Sequence, residues 1–342
     1  MSNAKIAIVI LNWNGDKLLQ QFLPSVIEFS KGDSIEIVVA DNGSTDGSLT
    51  MIRDKFPEVT VLDLEQNFGF ASGYNEALKQ IEADYFVLLN SDVEVTAGWL
   101  ESPIRIMQSD ESIAAVQPKI LSYYNRTHFE YAGAAGGFID KYGYPFCRGR
   151  IFDEVEADHG QYDTVTDVFW ATGACIFVRS DLFHEVGGFD ATFWAHMEEI
   201  DLCWRLKNSG YRIVYTPESR VYHLGGGTLA YNNPQKLYLN FRNNLWLLYK
   251  NLPANQLFYI LFIRMIMDSV AAIKLLGGFN FDGIKSVLKA HWHFYKSLPE
   301  LNRKRKLVVR NDHLRKSAEM LSKSIVFEFY IRKIKHFSEI KF

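Results

Sequence analysis

Short apolar runs alternate with segments of helical periodicity along the first ninety residues. Between two of these runs, apolar residues in the segment 17–29 recur at helical spacing. The runs at residues 6–11 (IAIVIL), 35–40 (IEIVVA), 59–62 and 85–89 (YFVLL) predict buried strands, and residues 17–29 and 71–81 predict helices. This alternation predicts an α/β fold: a Rossmann-like, mostly parallel sheet with helices on both faces.

Polar clusters follow three of the predicted strands. They are Asn12-Trp13-Asn14, the stretch DNGSTDGS from Asp41, and Asn90-Ser91-Asp92. Each cluster taken singly is also a good turn, because these residue types favour loops. Ligands bind at the carboxyl ends of strands in such sheets, so three clusters at one edge favour a binding site.

A fourth cluster lies in the stretch WAHMEEIDLCWR at residues 194–205, which places three acids at the start of a predicted helix. One interpretation is purely structural, because acids in a first turn interact favourably with the helix dipole. Asp201 and Arg205 would then form an i,i+4 pair. The other interpretation is a catalytic carboxylate.

The bulk composition describes a globular protein of one or two domains, with 342 residues of which 48% are hydrophobic. The three cysteines are widely spaced, which argues against a disulfide framework or a zinc site and suits a reducing compartment. No secretory segment or spanning helix is expected, since no charge-free run reaches membrane length. We therefore expect a cytoplasmic protein.

The net charge of −3 conceals an asymmetry between the two parts of the chain. From Lys250 onwards there are 18 Lys and Arg against 7 Asp and Glu, a net of +11, whereas the first 249 residues carry −14. Such a split indicates two parts with different partners. We predict a boundary at residue 250, between residues 1–250 and a basic helical extension at 251–342.

An ordered series of motifs resembles family 2 glycosyltransferases of the GT-A fold, in the bacterial rhamnosyltransferase-like branch. The motifs are VILNWNG (9–15), VVADNGSTDGS (38–48), QNFGFASGYNEAL (66–78), FVLLNSDVEV (86–95), ATGACIFVRSDLFHEVGGFD (171–190), MEEIDLCWRL (197–206), VYHLGGGT (221–228) and FRNNLWLLYK (241–250). The resemblance covers roughly residues 5–250 and depends on their order, because each motif alone is loose. It implies inverting transfer of a sugar from a nucleoside-diphosphate donor to an acceptor hydroxyl.

The resemblance also implies a donor site. Asp41 matches the acid that contacts the nucleoside, and Asn12 and Asn14 flank the same site. The stretch with Asn67, Gly69 and Gly73 matches the segment where the backbone approaches the donor, which glycines permit because they lack a Cβ.

A divalent-cation site, for Mg²⁺ or Mn²⁺, is implied at Asn90, Ser91 and Asp92. The family motif has an acid where Asn90 stands, so Asp92 would be the main anionic ligand. One carboxylate with diphosphate oxygens and waters is ordinary magnesium chemistry. His223 matches a residue that completes this site in some relatives, although a purely structural histidine explains it about as well.

The acids at residues 198–201 match the family's catalytic region. Glu199 falls at the position of the base, where most relatives carry Asp, and Glu can accept the acceptor's proton equally well. Glu198 is the competing candidate and an acceptor contact. Trp194 and His196 are candidate walls for the acceptor sugar, whereas Trp204 is better explained as a core aromatic.

The extension contains an apolar helical segment at residues 257–276, whose charged residues Arg264, Asp268 and Lys274 share one face of a helical wheel. Two interpretations stay open: peripheral contact with an anionic membrane, and packing on the catalytic part or on a second subunit. No fold that binds nucleic acid is recognised.

The sequence therefore predicts a glycosyltransferase of cell-surface polysaccharide synthesis. The expected donor is dTDP-rhamnose or a UDP-sugar, and the expected acceptor is a glycan or a lipid-linked glycan. Two alternatives are a nucleotidyltransferase on the same scaffold and a nucleotide-sugar-binding subunit without catalysis. A nucleotidyltransferase would need a basic, glycine-rich first loop, and the loop at residues 12–16 has one glycine and no basic residue.

Overall fold

The computed structural model describes residues 4–225, 234–308 and 318–342. These residues contain fourteen strands and eleven α-helices. The strands are β1 (Ile6–Asn12), β2 (Ile35–Asp41), β3 (Thr60–Asp63), β4 (Tyr85–Leu89), β5 (Val93–Val95), β6 (Ile113–Ser122), β7 (Gly137–Asp140), β8 (Pro145–Cys147), β9 (Arg150–Ile151), β10 (Glu154–Val155), β11 (Thr166–Val168), β12 (Cys175–Arg179), β13 (Arg212–His223) and β14 (Met320–Leu321). The helices are α1 (Asp16–Phe29), α2 (Ser48–Lys55), α3 (Gly69–Leu78), α4 (Glu101–Ser109), α5 (Ser180–Glu185), α6 (Glu198–Asn208), α7 (Pro234–Asn251), α8 (Ala254–Gly277), α9 (Phe281–Lys296), α10 (Leu298–Leu307) and α11 (Ile325–Tyr330).

The central sheet has the order β11-β13-β6-β12-β4-β1-β2-β3, with β5 paired to β13. The run β4-β1-β2-β3 is parallel, as is the pair β6-β13, and β12 is inserted antiparallel between β4 and β6. In the parallel register Asn12 lies opposite Asp41, so the polar residues at the two strand ends meet. The predicted α/β fold class is confirmed.

Alternate residues of each strand enter two different cores. Ile8 of β1 belongs to the core under α1, α2 and α4, whereas Val9 belongs to the core under α3, α5 and α6. Both residues are fully buried. A strand buried on both faces needs apolar residues at every position, which is why these strands appear as continuous apolar runs.

The predicted elements of the first ninety residues all occur. The predicted strand 85–89 coincides with β4, and the predicted helix 17–29 begins one residue earlier, at Asp16. The predicted helix 71–81 is α3, which begins at Gly69 and ends at Leu78. Its earlier start has a local cause, because the Asn67 side-chain oxygen accepts the Gly69 N–H at 2.8 Å.

A second sheet, in the order β10-β9-β8-β7-β14, receives the last segment of the chain. Strand β14 pairs parallel to β7, and the rings of Phe337 and Phe342 pack on Phe138 of β7 at 4.9 and 5.4 Å between centroids. The helical extension predicted after residue 250 is present as α8 to α11, while the boundary between two domains stays a prediction. Within the three described ranges, no helix is long and apolar enough to cross a membrane.

A buried ionic network ties α6 to the end of α7. Asp201 has no exposed surface and accepts bonds from Arg205 at 2.8 Å, Lys250 at 2.7 Å and Asn251 at 2.9 Å. The predicted Asp201–Arg205 pair is thus confirmed. Burial alone would raise the pKa of Asp201, but Lys250 and Arg205 hold it below its ordinary value.

We expect Asp201→Asn to lower the free energy of unfolding by about 3 kcal/mol, because it leaves buried cations without their shared counter-charge. Urea unfolding followed by circular dichroism measures this loss. Glu218→Gln is the matched control, since it breaks the exposed Arg105–Glu218 pair and should cost less than about 1 kcal/mol. Equal losses in the two variants would show that the network at Asp201 is not stabilising.

Candidate active site

The loops after β1 and β2 are joined by side-chain hydrogen bonds. The Asn12 amide donates to Asp41 at 2.8 Å and to the Ser44 hydroxyl at 3.1 Å. The other Asp41 oxygen accepts the Ser44 N–H at 2.8 Å. Asp41 therefore lies at the predicted edge of the sheet, and both of its oxygens hold the loop in shape. Its contact with a nucleoside stays a prediction.

Asn14 braces the same loop from outside. Its side-chain oxygen accepts the Thr45 N–H at 2.7 Å, and its own N–H donates to the Ser44 hydroxyl at 2.9 Å. Asn14 adopts a φ of 54°, which an asparagine tolerates better than most residues. The two predicted donor loops thus form one hydrogen-bonded unit.

Asn42 connects this unit to the start of α3. Its amide donates to the Asn67 side-chain oxygen at 3.2 Å and to the Gly69 carbonyl at 3.1 Å, and its own oxygen accepts the Phe68 N–H at 3.0 Å. Gly73 lies behind it, where a Cβ would come within 3.1 Å of the Asn42 amide and 3.0 Å of Leu11. Gly73 therefore permits close packing of α3 on the sheet.

Trp194 lies directly on the backbone of Gly69. A Cβ on Gly69 would fall 2.9 Å from the indole ring, and the Phe70 N–H donates to the Trp194 carbonyl at 3.2 Å. Gly69 has a φ of 79°. The residue has to be glycine for both reasons. Half of the Trp194 surface (52%) stays exposed beside the predicted donor edge.

The third polar cluster reaches a histidine and a second acid. Asp92 lies 3.2 Å from His223 Nε2, and Glu130 lies 3.1 Å from His223 Nδ1. All three side chains are buried. Burial alone would lower the pKa of His223, but Asp92 and Glu130 raise it to about 10. Burial would likewise raise the pKa of Asp92, but His223 lowers it.

The side chains around Asp92 can be compared with the ligands that a divalent cation needs. Among the described residues, no group of three or more His, Cys, Asp or Glu side chains is arranged to hold a metal ion. Asp92 and His223 nevertheless present an oxygen and a nitrogen 3.2 Å apart, and they fit as two neighbouring ligands of one ion once that ion displaces the proton that the raised pKa leaves on His223. Glu130 on the other ring nitrogen is the kind of partner that orients a metal-binding histidine. The pair fits an ion whose remaining ligands come from a diphosphate and water.

Asn90 and Ser91 lie at the same edge as Asp92. The Asn90 N–H donates to the Ala174 carbonyl at 3.0 Å, which fixes the end of β4 against the segment before β12. Their contact with a donor stays a prediction.

The acid pair opens α6 after a strained loop. Trp194, His196 and Met197 have φ angles of 63°, 67° and 74°, which side-chain-bearing residues rarely adopt. The Asn243 amide lies within hydrogen-bond distance of the carbonyls of Phe193 and His196, at 3.0 and 2.7 Å. Such strain persists only where the surroundings impose it, and it clusters at functional sites.

Three buried polar atoms of this loop have no hydrogen-bond partner among the described residues: His196 Nε2, Glu198 Oε2 and Glu199 Oε2. Burial raises the pKa of Glu199 to about 7, and burial together with the Glu199 charge raises the pKa of Glu198 well above its ordinary value. Burial lowers the pKa of His196 to about 4, so its ring is neutral at pH 7. Unpaired buried groups of this kind are ready to bind a ligand.

Trp204 is a core residue, as expected. It is buried on α6 and packs edge-to-face on Phe169 at 5.2 Å. In the segment 128–138, Phe129, Ala134 and Ala135 are buried, so this segment is not an ordinary surface loop.

Three residues of the site were missed from the sequence: Asn42, Glu130 and Asn243. Asn42 stood in a recognised cluster, and Asn243 stood in the motif FRNNLWLLYK, but Glu130 had no local signal. Residues 226–228, the end of the motif VYHLGGGT, lie outside the described part of the chain.

Comparison with known proteins identifies the family. The model of glycosyl transferase family 2 matches residues 7–185, which is more than half of the chain. The chain belongs to this family. It is 25% identical over 233 residues to the N-acetylglucosaminyl-diphospho-decaprenol L-rhamnosyltransferase of Mycobacterium tuberculosis, a match that spans 64% of this chain and 75% of that protein.

Two solved structures share the fold. One is S. aureus TarS 1-349 in complex with UDP-GlcNAc, with a TM-score of 0.56, 15% identity, and coverage of 91% of this chain and 92% of that one. The other is the mannosyltransferase PcManGT from Pyrobaculum calidifontis in complex with GDP-Man and Mn²⁺, with a TM-score of 0.53, 15% identity, and coverage of 90% and 85%. The fold of this family 2 glycosyltransferase is GT-A, as the motif series predicted.

The environment of Glu199 predicts a pH-dependent stability difference between the wild type and Glu199→Gln. The folded carboxyl keeps its proton up to about pH 7, whereas its ordinary pKa is 4.5. Its contribution to stability is therefore present below pH 4.5 and is lost as the pH rises through 7. We expect Glu199→Gln to be more stable than the wild type at pH 8 by about 1–3 kcal/mol, and by much less at pH 4.5.

Urea unfolding at a series of pH values measures this difference. Glu101→Gln is the control for simple loss of an acid at a helix start, because Glu101 lies exposed in the first turn of α4. If Glu199→Gln instead loses stability at pH 8, as expected for removal of a favourable helix-dipole charge, the buried-acid interpretation is wrong.

Proposed function

We propose that this family 2 glycosyltransferase is an inverting, metal-dependent enzyme that transfers a sugar from a nucleoside-diphosphate sugar to the hydroxyl of a glycan or lipid-linked glycan. The observation that carries the proposal is that Glu198 and Glu199 each hold one carboxylate oxygen buried without a hydrogen-bond partner among the described residues. The acids follow the loop whose Trp194 lies on Gly69, at the edge assigned to the donor.

The donor would lie along the carboxyl edge of the sheet. Asp41, Asn12 and Asn14 form the wall on the nucleoside side, and Asn67 and Gly69 open α3 beside it. The exposed half of the Trp194 ring gives a flat apolar surface on which a sugar or a base can stack. A binding edge made of fixed loop hydrogen bonds limits the loss of conformational freedom on binding.

Asp92 and His223 would hold a divalent cation, Mg²⁺ or Mn²⁺, with Glu130 orienting the histidine. When bound, such an ion offsets negative charge on the departing diphosphate. Asn90 and Ser91 flank this position on the donor side. The solved neighbour PcManGT, which contains Mn²⁺, supports the presence of a cation.

Glu199 would act as the base. Its carboxylate takes the proton of the acceptor hydroxyl as the hydroxyl oxygen bonds to the anomeric carbon of the donor. The bond from that carbon to the diphosphate oxygen breaks, and the electron pair leaves with the nucleoside diphosphate. A single displacement of this kind inverts the anomeric centre. A pKa of about 7 suits the role, because a general base works best near the operating pH.

Glu198, His196 and Trp194 would form the acceptor side. The neutral His196 can donate or accept a hydrogen bond to a sugar hydroxyl, since its Nε2 is buried without a partner among the described residues. A lipid-linked glycan as acceptor is supported by the relative in Mycobacterium tuberculosis, whose name describes a rhamnosyl transfer to a sugar diphosphate on decaprenol. The donor is dTDP-rhamnose or a UDP-sugar. Family membership favours glycosyl over nucleotidyl transfer, and turnover separates an enzyme from a binding subunit.

We expect Glu199→Gln to lower kcat by about two orders of magnitude or more and to leave nucleotide affinity unchanged, because the amide keeps the shape and loses the basicity. The donor is first identified by screening nucleotide sugars for a thermal shift of the protein. Release of nucleoside diphosphate from that donor then measures turnover. Glu199→Asp should recover part of the activity, since Asp is the usual family residue.

Glu198→Gln is the matched control on the adjacent acid, and its effect should be milder. If Glu198→Gln is inactive while Glu199→Gln keeps its rate, the base is Glu198. Full activity in both variants would leave the acids with the structural role of a helix start.

The cation site predicts that Asp92→Asn removes the metal-dependent part of nucleoside-diphosphate binding. Isothermal titration with UDP or dTDP, with Mn²⁺ and with EDTA, measures it. Glu130→Gln should weaken the Mn²⁺-dependent part by about 10- to 100-fold, as is typical when the partner of a metal-binding histidine is lost, and His223→Gln should weaken it more. Wild-type affinity that is the same in Mn²⁺ and EDTA would contradict the site.

A further inference from the structure

Two of the three charged residues of helix α8, Arg264 and Asp268, face inwards, whereas Lys274 is exposed. Arg264 and Asp268 are buried and form an ion pair at 2.8 Å. Arg264 also contacts the side-chain oxygen of Asn244 on α7 and lies 3.7 Å from the centre of the Tyr144 ring. His291 of α9 lies 3.1 Å from Asp268. These contacts to three neighbouring elements fix the rotation of α8 about its axis.

The opposite side of α8 is an apolar stripe that faces outwards. At about 100° per residue, its exposed residues lie 120–240° from Arg264 on the helical wheel. Phe258 is 84% exposed and Ile273 is 67% exposed. The exposed apolar residues of the stripe are Phe258, Tyr259, Phe262, Ile266, Val270, Ile273 and Leu276. The stripe runs along residues 258–276 of α8, a length of about 28 Å.

Helix α9 extends the stripe and adds positive charge. The Tyr295 hydroxyl lies 3.1 Å from Met265 on α8, so the two helices are in contact there. Angles on the helical wheel of α9 are counted from the side that faces α8. The sector at about 40–100° carries exposed aromatic and aliphatic residues. The next sector, at about 120–160°, carries exposed lysines. The apolar sector is Tyr295, Leu288, Phe281 and Trp292, and the basic sector is Lys285, Lys296 and Lys289.

This arrangement is unfavourable in water, because burying a large apolar side chain stabilises by about 1.5–3 kcal/mol and the stripe leaves seven exposed. Contiguous exposed apolar surface of this kind marks a site of association. The charged face cannot be turned outwards without breaking the Arg264–Asp268 contacts, so a non-aqueous partner has to cover the stripe.

Charge decides between partners. A second copy would add the same lysines to the interface, within a segment of net charge +11, and would offer them no acidic partner. An anionic bilayer instead places negative headgroups at the lysines and acyl chains at the stripe. Trp, Tyr and Lys beside an apolar band are the residues that favour the membrane interface.

We propose that the outer face of the α8–α9 hairpin binds the surface of an anionic lipid bilayer, with α8 lying parallel to the membrane plane. The helix inserts its apolar stripe at the level of the headgroups, and the α9 lysines contact acidic lipid phosphates. This interaction goes beyond the proposed reaction and does not depend on the identity of the donor or acceptor.

Flotation of the full-length protein with vesicles tests the proposal. We expect binding to phosphatidylcholine vesicles that contain phosphatidylglycerol, weaker binding in high salt, and little binding to phosphatidylcholine alone. Phe262→Ser with Ile266→Ser should lower the partition coefficient by about tenfold or more. Lys285→Gln with Lys289→Gln should lower it about tenfold, on the anionic vesicles only.

Val165→Ser is the matched control, because Val165 is equally exposed on the catalytic part of the chain. Its partition should equal that of the wild type, and thermal melting should show all variants folded. If the wild type ignores anionic vesicles, or if the Phe262 and Ile266 changes leave its binding intact, the proposal is wrong. The proposal is also overturned if the wild type does not bind vesicles but sediments as a dimer that Phe262→Ser with Ile266→Ser dissociates. The stripe would then be a surface for self-association.

Discussion

The contact between the Trp194 ring and the bare backbone of Gly69 joins the two halves of the site. On one side are the loops after β1 and β2, held together by Asn12, Asp41 and Asn42. On the other side is the loop that leads into the acid pair on α6. A side chain on Gly69 would occupy the position of the indole ring, so the spacing between the loops after β1 and β2 and the acids depends on this one glycine.

The loop that carries Trp194 is strained, and the C-terminal helices hold it. Positive φ angles at Trp194, His196 and Met197 would relax in an isolated segment. The Asn243 amide of α7 lies within hydrogen-bond distance of the carbonyls of Phe193, Ala195 and His196. Lys250 at the end of α7 joins Asp190 before the loop to Asp201 after it, at 2.7 Å to each. Helix α7 therefore belongs to the site as much as the sheet does.

Helices α7 and α8 make two kinds of polar contact with different consequences. The network at Asp201 orders the acid pair from inside. The pair of Arg264 and Asp268 orders α8, and by holding the charged face of that helix inwards it leaves the apolar face outside. In both places an i,i+4 ion pair is joined by further partners from distant parts of the chain, because a buried charge needs such partners.

The sequence by itself determined the strands, the first helices and the three polar clusters at one sheet edge. These features depend on periodicity within a few residues and on the rule that parallel strands end at the same edge. The i,i+4 pair of Asp201 and Arg205 was equally local. The motifs indicated the family, because their order along the chain carries more information than any single motif.

Tertiary structure alone decided which distant side chains meet. Glu130 reaches His223, and Asn243 reaches the carbonyls of residues 193–196, through chain separations that no local pattern spans. The helical wheel of α8 showed a charged face and an apolar face, but the wheel does not determine which of the two faces the protein interior. Only the positions of Asn244 and His291 on neighbouring helices turn the charges inwards, because a buried ion pair needs hydrogen-bonding partners from the surrounding fold.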